Sequence, residues 1–297
     1  MIQYNPKDWF TFIFRFHKAD TFRKLLPMLI GMTIYTGLVV WLEVRFEFVD
    51  NTHLRNIPQM HALLGFAISM LLVFRTNTAY ERWWEARRFW GMLVNCSRNL
   101  AIKMSVFLPK NQADIRHNLA NYIGGFAHAL HHHLRRETVR LSLADYYGKP
   151  FPIPAKETNE HVPAEIAGLI IHEVNKAYKD GILSNEQFLA MNTETILFMD
   201  ICGGCERIKN TPIPFSYSVF IKKIVFFYTM TLPFGYAFSL GYIAIPVTVF
   251  IFYVLASLEI IAEEIEDPFS GDENDLPTKR LAENISRNVN EIFKNHM

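Results

Sequence analysis

The chain has 297 residues, of which 50% are hydrophobic, 14% aromatic and 20% charged, and its formal net charge is +1. So even a balance disfavours a polyanion-binding protein, and few charges beside many aromatics is unusual for a soluble domain. Three cysteines, Cys96, Cys202 and Cys205, make no disulfide framework and suit a reducing compartment.

The opening MIQYNPKDWFTFIFRFHKAD lacks an uninterrupted apolar core followed by a small-residue cleavage site, so no secretory signal is expected. Leu25–Leu42 is free of formal charge and is ended by Glu43 and Arg45. Ile57–Phe74 is a second such run, with His61 its one ionisable residue. Both are close to the roughly 20 apolar residues that a membrane helix needs. The third run, Ile224–Leu258, would form a helix of about 50 Å, too long for a core of about 30 Å. It reads as two short spans folded at Ser239-Leu240-Gly241-Tyr242, with Pro233 and Pro246 expected to kink or break them. Arg15, Lys18, Arg23 and Lys24 precede the first run, and Arg75, Arg82, Arg87 and Arg88 follow the second. Arg207, Lys209, Lys222 and Lys223 precede the third. The positive-inside tendency puts all three flanks and both termini in the cytoplasm, giving four spans as two hairpins. The alternative, a soluble protein with very apolar buried helices, does not account for consistent charge flanks on three long runs.

Residues 75–223 are polar and helical in period, with amphipathic helices over Asn111–Arg140 and Ala164–Lys179 and a proline-rich loop over Asp145–Pro163. After Leu258 the chain is acidic, then loop-like, and ends in a polar helix from about Thr278. The organisation is therefore a first hairpin (25–74), a helical cytosolic region (75–223), a second hairpin (224–262) and an acidic loop with a C-terminal helix (263–297).

Within the second run, Phe66, Met70 and Phe74 recur at i, i+4 and i+8 and form one bulky apolar stripe. Ala62, Gly65 and Ser69 form a neighbouring stripe of small residues that lets another helix approach closely. Such a helix either lines a narrow pore, whose Phe and Met rings gate by dewetting, or packs its stripe into core or lipid. The block FRTNTAYERWWEARRFWG (74–91) carries the helix inward, with no proline or glycine before Gly91. Trp83 and Trp84 suit a membrane boundary or an interhelical core, and Glu81 and Glu85 stand at helical spacing for pairs with Arg82 and Arg88. Local pairing of this kind disfavours nucleic-acid binding, which needs unpaired basic groups beside stacking aromatics. No phosphate-binding glycine loop or nucleophile–base pair is present, so an enzyme is not expected.

FRTNTAYERWWEARRFWG, GGCERI (203–208), TPIPFSY (211–217) and AEEIEDPFSGDENDLP (262–277) resemble, in this order, the signature blocks of the bestrophin family in its bacterial branch. The likeness runs from about Trp9 to Asn290. The resemblance implies an all-α membrane protein in a bacterial inner membrane, with four transmembrane helices in two hairpins and a helical cytosolic domain. It also implies a homopentamer around an axial pore that passes small inorganic ions passively, with self and lipid as partners. Eukaryotic members are calcium-activated chloride channels, while some bacterial ones pass monovalent cations. The family's hydrophobic neck falls on Phe66, Met70 and Phe74, with Met where a branched apolar or aromatic residue is usual. A second, cytosolic constriction falls on Glu186 by ungapped count back from GGCERI. Five carboxylates there would favour cations; the alternative is a helix-start glutamate, with Ser184 and Gln187 as a capping box. In eukaryotic members the acidic loop clasps calcium; Asp272 and Asp275 match its carboxylates and Glu264 a further backbone ligand, though a plain polar loop is the other reading.

Three further signals stay open. Cys202-Gly-Gly-Cys205 has redox spacing without a βαβ context. His128, His131 and His132, with His133, form either a transition-metal site or an exposed histidine patch. Glu259, Glu263 and Glu266 on one face either answer the arginines after Phe74 or form an acidic vestibule. Outside the channel reading, the competing class is a membrane scaffold or sensor whose neck never opens.

Overall fold

The structure is a computed structural model that describes residues 21–46, 57–137, 143, 147 and 161–295. Arg15, Lys18 and most of the proline-rich stretch 145–163 lie outside the described residues. Among the described residues there is no strand. The helices are α1 (Thr21–Arg45), α2 (Ile57–Phe107), α3 (Ala113–Leu134), α4 (Val162–Lys179), α5 (Asn185–Asn210), α6 (Phe215–Leu240), α7 (Ala244–Glu266) and α8 (Thr278–Asn295). They fall into two compact units, one of Met1–Trp83, Pro212–Asp267 and Asp272–Asn274, the other of Trp84–Thr211, Pro268–Gly271 and Asp275–Met297.

In the first unit, Leu25, Leu29 and Met32 of α1 pack on Phe252 of α7, and Ile68 and Leu72 of α2 pack on Ile221 and Val225 of α6. Val40, Ala237 and Ala244 close the far end of this core. A single 3-10 turn, Gly241–Ile243, reverses the chain between α6 and α7. Gly241 has φ +55°, a region open to glycine, and the reversal falls where the sequence places it. Neither proline breaks its helix. Helix α6 runs on through Pro233 without breaking, and Pro246 lies in the first turn of α7, where a missing N–H costs no helical bond. Large apolar side chains such as Ile34, Phe227 and Phe250 stay exposed on α1, α6 and α7. Helices long and apolar enough to cross a membrane lie within Thr21–Arg45, Pro58–Phe107 and Phe215–Glu266. Exposure of this kind on helices of this length marks a membrane protein.

The second unit is the helical body. Gly91 does not end α2; burial of Trp90, Leu93, Leu100 and Met104 outweighs the roughly 1 kcal/mol that a glycine costs inside a helix. Arg116 on α3, fully buried, donates to the carbonyls of Ser105, Leu108 and Pro109 and so satisfies acceptors at the end of α2. Phe126 of α3 meets Phe198 of α5 edge-on with centroids 4.9 Å apart, and α8 lies along α3. At the start of α5 the Ser184 hydroxyl accepts from Gln187 N and the Gln187 side chain accepts from Ser184 N, the capping box expected from the sequence.

GGCERI has a steric reason within this unit. A Cβ on Gly204 would meet Phe89 ring carbons at 2.3–2.7 Å, so the ring of the FRTNTAYERWWEARRFWG block sits directly on the α5 backbone. Arg207 of the same motif pairs with Glu85 of α2. Gly204→Ala is therefore expected to force the ring out and cost about 1–3 kcal/mol despite alanine's higher helix propensity. A lowered thermal midpoint in detergent, partly restored by adding Phe89→Leu, is the expected result.

Candidate functional site

Helix α2 has two unlike faces in the first unit. Ile68, Leu72 and Arg75 are buried, whereas Phe66, Met70 and Phe74 are 68%, 45% and 58% exposed. At 100° per residue the second set spans about 80° on the side roughly opposite the first. The small stripe is used within the chain: a Cβ on Gly65 would meet the Tyr228 hydroxyl at 2.8 Å, so glycine there leaves room for that hydroxyl. Ser69 donates to the Gly65 carbonyl at 2.8 Å, and Ala62 and Ser69 stay exposed beside the bulky stripe.

Directly after Phe74, Arg75 is 1% exposed. Its Nη2 donates to Glu266 Oε2 at 2.7 Å, and its Nε lies 3.6 Å from Glu259 Oε1, an ion pair longer than a hydrogen bond. The other Glu266 oxygen accepts from Ile213 N at 2.7 Å, and the Glu266 carbonyl accepts from Arg82 Nε at 3.1 Å. Glu266, itself in the acidic block, thus receives donors from two of the other three signature blocks. Glu259 and Glu266 do answer the arginine after Phe74, while Glu263 instead takes Lys222 at 2.9 Å. The FRTNTAYERWWEARRFWG charges also reach farther than helical spacing suggests: Arg82 goes to α7 and Glu85 to α5.

The acidic loop is closed by the chain's own donors. In the first unit, Glu264 takes Lys24 Nζ at 2.5 Å and Asn274 Nδ2 at 2.5 Å, and Trp83 Nε1 donates to the Asn274 carbonyl at 3.2 Å. Asp272 is exposed. In the second unit, Asp275 is buried and accepts from Ser270 Oγ and from Gly271 N. Calcium needs six to eight oxygens. Here the Glu264 and Asp275 carboxylates are already engaged by an ammonium, an amide and a backbone N–H. With those oxygens taken by the chain's own donors, the contacts suit the polar-loop reading of Asp272 and Asp275 better than a calcium clasp.

Glu186 is exposed in the first turn of α5, and its Oε2 accepts from Ser184 Oγ at 2.7 Å. That hydrogen bond holds its carboxyl below the usual carboxylate range, so it is ionised at neutral pH. The histidines do not form one patch. His128 and His131 are buried, with His131 Nδ1 2.7 Å from Thr278 Oγ1; His132 pairs with Glu137 and His133 turns to Glu206. The exposed-patch reading fails because α8 covers that face of α3. His161 and Glu206, which the sequence does not single out, share the acid that receives His133. Cys202 and Cys205 are buried free thiols, and burial pushes the Cys202 thiol up to about 12, which removes thiolate chemistry at neutral pH.

Long apolar helices with wide exposed faces, joined to a helical body through one continuous α2, define an all-helical membrane protein. The profile of the family described as Bacterial/Fungal Bestrophin protein matches residues 1–291, and the chain belongs to that family. It is 32% identical over 292 residues to the voltage-dependent anion channel-forming protein RSc3414 of Ralstonia nicotianae, covering 96% of this chain and 92% of that one. It is 34% identical over 247 residues to the voltage-dependent anion channel-forming protein alr2987 of Nostoc, covering 80% of each. A crystal structure of a bacterial bestrophin homologue from Klebsiella pneumoniae superposes with a TM-score of 0.81 at 28% identity, covering 91% of this chain and 98% of that one.

Two outcomes follow from these contacts. Arg75→Gln leaves Glu259 and Glu266 without their buried cation and is expected to cost about 3–5 kcal/mol, read as early thermal unfolding in detergent. Adding Glu259→Gln is expected to recover part of that loss. The second outcome concerns pH. Burial first, then neighbouring cations and imidazoles, lower His128 and His131 from 6.5 to about 4. Because the folded values lie below the unfolded one, the unfolded chain binds protons first. Stability is full above about 6.5 and falls as pH drops towards about 4. Replacing both histidines with glutamine is expected to flatten the thermal midpoint across that window.

Proposed function

We propose that this chain is an ion channel rather than an enzyme, a homopentamer whose five α2 helices line an axial pore for small monovalent ions. The observation that carries this reading is the Phe66–Met70–Phe74 stripe, exposed on the α2 face turned away from α6. Around a symmetry axis it becomes three stacked apolar rings, narrow enough to exclude water and so to gate. Channel-forming relatives that match most of the chain support the reading. Placement in a bacterial inner membrane, with four spans and both termini inside, agrees with the charge flanks of the apolar runs.

Each part has a role on this reading. Met70 is the adaptable middle ring, since an unbranched thioether changes shape more readily than a ring does. Arg75, buried and paired one residue after Phe74, holds the lower ring in register. Glu186, ionised and exposed, supplies a carboxylate ring at the cytosolic aperture that raises local cation concentration and opposes anions. That favours monovalent cations. The second reading is an anion channel, and the specific observation behind it is that the relatives from Ralstonia and Nostoc are named anion channel-forming proteins.

Purified protein in a planar bilayer is expected to carry current, and alanine at Phe66, Met70 and Phe74 to raise open probability. Silence from both wild type and the triple variant would remove the channel reading and leave a membrane scaffold or sensor. Under a salt gradient the reversal potential is expected to lie on the cation side and to move towards anions in Glu186→Gln. A wild-type value on the anion side, unmoved by Glu186→Gln, would instead establish the second reading.

A further inference from the structure

His133, His161 and Glu206 come from three separate elements of the helical body: the last turn of α3, the N-cap of α4 and the later part of α5. Nε2 of His133 and Nε2 of His161 each lie 2.7 Å from the same carboxylate oxygen, Oε1 of Glu206. One donor atom from each residue lies within 4.8 Å of the other two, and the two rings stand 4.6 Å apart. All three side chains are partly exposed, so a hydrated ion can reach them.

We propose that His133, His161 and Glu206 form a binding site for a first-row transition-metal dication, with zinc the best match. Two imidazole nitrogens and one carboxylate are the three-ligand set that zinc accepts while keeping a fourth position for water. Calcium and magnesium seek oxygen ligands and are poorly served by this set. Ligands around a tetrahedral zinc stand about 3.3 Å apart, so each 2.7 Å contact to Glu206 must open by about half an ångström. Rotation of the long Glu206 side chain supplies that change.

His161 Nδ1 accepts from Ala164 N at 3.1 Å, which puts the ring proton on Nε2, donated to Glu206. Ligation through Nε2 moves that proton to Nδ1. The Nδ1–H must then turn away from Ala164 N–H, which keeps its second acceptor, the His161 carbonyl at 2.9 Å. Burial would raise the Glu206 carboxyl, but hydrogen bonds from His133 and His161 outweigh it and hold the group below its usual range, so it enters as an anion. Cys202 Sγ lies 3.9 Å from His161 Nε2, but burial keeps this thiol protonated, and the three-ligand set does not count it. A metal here would tie α3, α4 and α5 together and stabilise the helical body by mass action. The site lies in that body alone and stands whether or not the chain conducts ions.

The test uses full-length protein in detergent, stripped with a chelator and titrated with cobalt(II), then with zinc. One cobalt per chain is expected, with the intense visible bands of a four- or five-coordinate ion, displaced by zinc, and zinc should raise the thermal midpoint. His161→Asn preserves a capping side chain for α4, and Glu206→Gln preserves an acceptor oxygen, so both should fold. Each is expected to lower zinc affinity at least about tenfold, as is His133→Asn, while His132→Asn, on the neighbouring position, leaves it unchanged. Less than one cobalt per chain, a spectrum like that of the hydrated ion, or wild-type affinity in His161→Asn and Glu206→Gln would overturn the proposal.

Discussion

The burial of one guanidinium organises the first unit. Arg75 follows Phe74 on a helix whose neighbours are apolar, and a charge there is stable only with opposite charge placed against it. Glu266 and Glu259 on α7 supply that charge. Glu266 spends its remaining acceptors on Ile213 N and, through its carbonyl, on Arg82. The lower end of the exposed stripe is therefore fixed by the same carboxylate that fixes the entry to α6. Rotation of α2 about its own axis would strand Arg75 in apolar surroundings, which sets the register of Phe66, Met70 and Phe74.

This arrangement gives the signature blocks a physical meaning. FRTNTAYERWWEARRFWG and TPIPFSY each send donors to Glu266 of the acidic block. GGCERI does its work in the helical body, where Gly204 admits the Phe89 ring and Arg207 takes Glu85. In the acidic loop, Lys24 stands against Glu264 as a tethered cation, so that carboxylate is balanced without a metal ion. The likeness of this loop to a calcium clasp lies in its sequence, and the difference lies in which donors fill its oxygens.

Much of the fold was legible because its determinants are local. Uncharged runs of spanning length locate α1, the start of α2 and the α6–α7 pair, and the glycine at 241 marks the reversal. Ser184 and Gln187 announce the start of α5 through the spacing of a capping box. Neither proline breaks its helix: Pro246 falls in a first turn, and α6 continues through Pro233. Partners distant in sequence were less legible. Helical spacing offered Glu85 the neighbouring arginines, but the fold brings Arg207 to it. The histidine run looked like one cluster, yet its members point apart, and His133 finds partners at positions 161 and 206 that no periodicity connects.

On the proposed channel reading, the Phe66–Met70–Phe74 face of α2 lines the conduction path. The native thiols Cys96, Cys202 and Cys205 are buried, so a cysteine introduced on that face would be the reactive one. The most direct measurement is bilayer current from Phe66→Cys, Met70→Cys and Phe74→Cys channels during exposure to a charged, thiol-reactive reagent, with Ile68→Cys as the buried control. The account predicts a stepwise, irreversible change in current at the three stripe positions and none at Ile68→Cys. Labelling at all three stripe positions with the current unchanged would contradict it.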